Sequence, residues 1–129
     1  MASEEFAKGL VIRKEWLGEA YVEKSIKGAD DFALAMQEFA TEVAWGKIWT
    51  RPGLPRKTRS LLNIGLLTAL NRQHELKLHI RSALANGITK DEIKEVLLQI
   101  AAYVGVPAGI DGFRLAREAF AEYEAAQKG

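Results

Sequence analysis

Between Pro55 and Gly87 the chain reads PRKTRSLLNIGLLTALNRQHELKLHIRSALANG, a stretch that leaves little choice but helix. Leu61, Leu62, Ile64, Leu66, Leu67 and Leu70 lie nearly all round a helical axis, which predicts a buried helix over 58–70 that breaks at Asn71. Leu76, Ile80, Ala83 and Leu84 then recur at helical spacing and predict a second helix over 75–86. Pro55 prevents a helix from running in from upstream, and Asn86-Gly87 is a left-handed stop.

The flanking sequence has the same period. A helix is expected over 3–17, with Phe6, Leu10 and Leu17 apolar, although Gly9 weakens it by about 1 kcal/mol. A short second piece takes in Trp16, Leu17 and residues 21–26. Asp30 or Asp31 can cap a third helix that carries Phe32, Met36, Phe39, Ala40 and Val43 and ends near Trp45-Gly46. The segment WGKIWTRPGLPR then reads as a loop ordered by its aromatic rings, with a turn at Pro52-Gly53. Thr89-Lys-Asp-Glu92 is a capping box for a helix over 91–104 that buries Ile93, Val96, Leu97, Ile100 and Ala101. Residues 105–109, with Pro107, predict a bend. A last helix from about Asp111 offers Phe113, Leu115, Ala116 and Phe120 before a polar tail. No strand-like alternation bounded by hairpin turns occurs. The expectation is an all-α protein of about six helices in one domain over 1–129, a helical extension over 1–28 preceding a core over 29–120.

Composition removes several functions. Eighteen Lys and Arg against 17 Asp and Glu leave a net charge of +1, no footing for a nucleic-acid partner. With no cysteine, disulfides, thiolate nucleophiles and sulfur-ligated zinc are excluded. The two histidines stand as HExxxH, which sets their imidazoles about 140° apart on a helix, so no metal site is expected. The acidic start, MASEEFAKGL, has no apolar export core, and no apolar run is long enough for a bilayer. A cytoplasmic protein without membrane contact is the default.

Histidine alone titrates near neutrality without perturbation, so proton chemistry is sought at His79. Glu75, four residues earlier, would share its helical face and could charge or orient the imidazole as a general acid; equally, the two form an ordinary surface pair. His74 is a weaker candidate. Arg51, Arg56 and Arg59 form a second cluster suited to gripping carboxylates, or else solvated charge beside a loop. Arg51 has Trp45, Trp49 and Pro52 around it in sequence, and the tryptophans either line a dry wall or simply pack. Tyr103 offers a phenolic hydrogen bond.

The stretch TRSLLNIGLLTALNRQHELKLHIRSALANGITKDEIKEVLLQIAAYVGVPAG resembles the carboxymuconolactone decarboxylase family, all-helical and related to the alkylhydroperoxidase-D-type proteins. AWGKIWTRPGLPRKTRSLL is similar to the branch that acts in protocatechuate (β-ketoadipate) breakdown; together the resemblance spans about Phe39 to Glu118. The peroxidase branch carries a glutamate, a C-x-x-C and a histidine. Here those positions hold Ser60, Arg72, Glu75 and His79, so thiol peroxidase chemistry does not apply. What the resemblance implies instead is decarboxylation of 4-carboxymuconolactone to 3-oxoadipate enol-lactone with no cofactor, in a homo-oligomer, commonly a hexamer. His79 and Glu75 would be catalytic; Arg51, Arg59, Trp45, Trp49, His74 and Tyr103 would contact the small dicarboxylate lactone. The alternatives are a noncatalytic helical assembly on the same scaffold and a related lactone isomerase.

Overall fold

The computed structural model describes residues 3–128, which form two compact units divided after Pro55. The outermost residues of the expected 1–129 domain, Met1, Ala2 and Gly129, lie outside the described residues. Every regular element among the described residues is helical: seven α-helices and a π-helical stretch, against the six helices expected.

The first unit holds α1 (Glu4–Leu17), α2 (Glu19–Lys27), α3 (Asp31–Phe39) and the π segment (Ala40–Ile48). Ser3 caps α1 by accepting from the Phe6 N–H, and Asp30 caps α3 by accepting from Ala33. Gly9 turns out to be an asset. A Cβ there would overlap the Thr41 carbonyl, and a Cβ on Gly46 would overlap the Glu5 carbonyl, so α1 and the π segment cross backbone to backbone. That crossing rotates α1. Its buried positions are Gly9, Ile12, Arg13 and Trp16, whereas the expected apolar positions Phe6, Leu10 and Leu17 are only half-buried. Trp45 stacks on Trp49 with ring centroids 4.5 Å apart, and Trp49 meets Trp16 at 5.4 Å. The third helix does not stop at Trp45-Gly46: it continues to Ile48 with widened turns. Phe32, Met36 and Phe39 face solvent, and Phe32 is 92% exposed.

The second unit holds α4 (Arg56–Ala69), α5 (Gln73–Ala85), α6 (Lys90–Tyr103) and α7 (Val106–Lys128). Its centre is built from Ile64, Leu76, Ile80, Ala83, Ile93, Leu97, Leu115 and Ala119. Asn71 stands left-handed (φ 57°) in the turn between α4 and α5, and Gly87 does the same after α5. The capping box forms as expected: Thr89 Oγ1 accepts from the Glu92 N–H and the Glu92 carboxylate accepts from the Thr89 N–H.

Two expectations here need correction. The α4 helix is not buried all round, because only the Ser60, Ile64, Gly65 and Thr68 face packs; Leu62, Leu66 and Leu70 are exposed. With Val96 and Ile100 of α6, only half-buried rather than core, Leu62 and Leu66 line an apolar groove of about 600 Å³. The last helix starts at Val106, five residues before Asp111. Gly105, at φ 143°, absorbs the bend alone, and Pro107 fits the first helical turn, where no N–H is needed. Gly109 and Gly112 lie against Ala101 and Thr68, so they act in packing and not as breakers.

Candidate functional site

In the second unit, Leu76, Leu78, Ile80 and Ala83 pull α5 into the core and carry His79 with them. The imidazole Nδ1 is buried without a hydrogen-bond partner. Loss of solvent pushes the His79 pKa down from 6.5 to about 4, so the ring is neutral at pH 7. Glu75 does not counter this. It is exposed one turn earlier, and the shift is opposite to the one expected from a charging carboxylate, because burial dominates.

Ser60, on the buried face of α4, also has its hydroxyl buried without a partner. Buried Thr41 and Thr68 each donate to the carbonyl four residues back, the usual resolution for a helical hydroxyl, and Ser60 does not. His74 sits apart from His79. It is exposed in the first turn of α5 and lines a cleft of about 750 Å³ with Lys77, Arg81 and Glu118. Arg59 is half-buried on α4 and already has an interaction partner, and Tyr103 is 82% exposed at the end of α6. Among the described residues no three His, Cys, Asp or Glu side chains gather into a metal-binding group.

Trp45, Trp49 and Arg51 belong to the first unit. The two indoles are buried and stack in a three-ring cluster with Trp16. Arg51 is exposed just beyond the π segment, its N–H bonded to the Ile48 carbonyl and its residue engaged in a further interaction. Sequence reasoning passed over Arg13, the one buried charged residue among those described, at 6% exposure. Its Nη1 donates to Thr41 Oγ1 at 2.9 Å, while its Nε is buried without a partner. The signal was present: Arg13 continues the Gly9, Ile12, Trp16 stripe at helical spacing.

Each unit thus holds a side-chain nitrogen buried without a hydrogen-bond partner, Arg13 Nε in the first and His79 Nδ1 in the second. Residues 35–118 match the model of the carboxymuconolactone decarboxylase family, and the chain belongs to that family. Among its relatives is the 4-carboxymuconolactone decarboxylase of Acinetobacter baylyi, 45% identical over 115 residues, covering 89% of this chain and 86% of that one. The nitrosuccinic acid decarboxylase npaB of Metarhizium robertsii is 46% identical over 106 residues, 82% of this chain and 74% of that one. An uncharacterized 15.0 kDa protein of Paracoccus denitrificans is 39% identical over 83 residues, covering 63% of this chain and 62% of that one.

Proposed function

We propose that this protein is a carboxy-lyase that converts 4-carboxymuconolactone to 3-oxoadipate enol-lactone. The observation that carries the reading is the 45% identity, over nearly nine-tenths of the chain, to a decarboxylase named for that substrate. In the reaction the bond from the ring carbon to its carboxylate breaks and CO2 leaves. The electron pair passes through the ring alkene into the lactone carbonyl, and the dienolate then takes a proton from water on carbon. The lactone is its own electron sink, so the protein has to bind a dianion, dehydrate the departing carboxylate and stabilise an oxyanion.

A neutral buried imidazole supports a particular role for His79: a hydrogen-bond donor to the developing oxyanion in place of a strong acid. Glu75, being exposed, would act on it only through orientation of the helix turn. Arg51 and Arg59 are assigned to substrate carboxylates, Trp45 and Trp49 to excluding water, and His74 and Tyr103 to peripheral contacts. A second reading follows from the 46% identical nitrosuccinic acid decarboxylase. Nitrosuccinate is also a dianion, and its CO2 loss leaves a nitronate with charge on oxygen. The same cation and the same donor would serve.

Offering purified protein 4-carboxymuconolactone and nitrosuccinate side by side, with CO2 and product measured, decides among the readings. CO2 from the lactone is the expected result. Release from nitrosuccinate alone selects the second reading, lactone loss without CO2 an isomerase, and no turnover a noncatalytic protein. The exposed apolar residues Phe32, Met36, Phe39, Leu62 and Leu66 support a homo-oligomer, with a hexamer as the proposed form. No helix among the described residues is long and apolar enough to cross a membrane. The proposed setting is the cytoplasm, within protocatechuate breakdown.

A further inference from the structure

Arg13 is hard to explain as a structural residue. Four of its five N–H groups are not used by the bond to Thr41, and a guanidinium so far removed from water ordinarily faces a carboxylate or several carbonyls. Among the described residues it has neither: Thr41 is its one hydrogen-bond partner, and Nε is left with none. Burial accordingly holds its pKa below the usual arginine range.

The surroundings fix the group in place. Thr41 Oγ1 gives its own proton to the Gln37 carbonyl at 2.7 Å, so its lone pair is aimed at Arg13. Thr41 is the second residue of the π segment, where widened turns commonly serve function. Gln37, one turn before Thr41 on the same helical face, also has its side-chain oxygen buried without a partner. The Gly9–Gly46 crossing holds the α1 backbone against this segment, which keeps the stems of Arg13 and Thr41 in register.

We propose that Arg13, held by Thr41, binds a carboxylate of the substrate through its unused N–H groups. The identity of that anion rests on the decarboxylase reading; the anion site itself does not. A preorganised, dehydrated fork binds a carboxylate more strongly than an exposed one, because little is reorganised on binding. Replacing an unpaired buried charge with an apolar side chain of similar length is neutral or stabilising, whereas removing a binding group weakens the ligand. The two roles therefore separate experimentally.

The test compares the parent protein with Arg13→Met and Arg13→Lys by thermal unfolding with and without succinate as a dicarboxylate probe, and by KM and kcat for 4-carboxymuconolactone. Expected are a succinate-dependent rise in Tm for the parent and an unliganded Tm for Arg13→Met at or above the parent's. The succinate response should vanish in that variant and its KM rise at least tenfold. A folded Arg13→Met that keeps both the response and KM within twofold overturns the proposal. If Arg13→Met does not fold, Arg13→Lys decides: a several-fold higher KM supports the proposal and an unchanged KM overturns it. Should the parent release no CO2 from the lactone, the decarboxylase reading fails by itself. The succinate response then decides Arg13, supporting it if lost in the variants and overturning it if absent from the parent.

Discussion

His79 and Arg13 show the same economy at the level of single side chains: each keeps one nitrogen, Nδ1 or Nε, buried without a hydrogen-bond partner. For the histidine this has a measurable cost in acid. The unfolded chain binds a proton at this residue near pH 6.5, while the folded chain resists until about pH 4. Stability tied to His79 is therefore complete above pH 6.5. It drains away as the pH falls towards 4, by a total on the order of 3 kcal/mol. Urea unfolding at pH 7.5, 5.5 and 4.5 should show this slope in the parent and a flatter one in His79→Gln. Parallel curves would remove the buried-neutral imidazole from the account. Glu92, Glu122 and Glu124, whose pKa values are lowered by Lys57, Lys77 and Lys90, also lose pairing in acid, but equally in both proteins. From sequence the placing of His79 at a boundary between core and cleft was legible, since Leu78 and Ile80 flank it. The direction of its shift was not, because spacing reveals a neighbouring carboxylate but not how much solvent reaches either group.

Among elements, those with local chemistry were legible and those set by tertiary approach were not. The Thr89–Glu92 capping box and the Asp30 cap are determined within four residues, and both form. The orientation of α1 depends on a partner some thirty-five residues away. A glycine that reads as a weak point in an isolated helix becomes the contact point of two. Pro107 likewise reads as a breaker until Gly105 takes up the turn ahead of it. The crossing makes a sharp prediction. Gly46→Ala should destabilise the protein by about 3 kcal/mol, the upper range for overpacking, since the obstructing atoms are backbone and cannot rotate away. Gly53→Ala, where an added Cβ meets nothing within 4 Å, should lie within about 1 kcal/mol of the parent. Chemical denaturation midpoints of the two variants measure the contrast, and similar midpoints would mean that α1 can shift.

For the whole molecule, an all-helical architecture followed from a period that never falls to two, and the family followed from specific stretches near its middle. The extent of exposed apolar surface did not. Leu62, Leu66 and Leu70 look internal when a helix is read alone, yet α4 offers only one face to α5, α6 and α7. Such a surface is expected to be covered by further copies. Light scattering should give a multiple of the chain mass, and Leu66→Glu or Phe32→Glu should lower it while circular dichroism remains helical. A monomeric parent at micromolar concentration would leave those side chains without that explanation.

The π segment also limits how this protein can change in length. A π stretch is an α-helix that carries surplus chain, and excising a single residue from 40–48 would let it tighten. The rest of the segment would then sit at new angles around the helix axis. Trp45, Gly46 and Trp49 would leave the α1 contact together, taking the indole stack with them. Point substitutions can be absorbed one at a time across much of the surface, but an indel here changes the phase of the helix, and no single compensating side chain restores it.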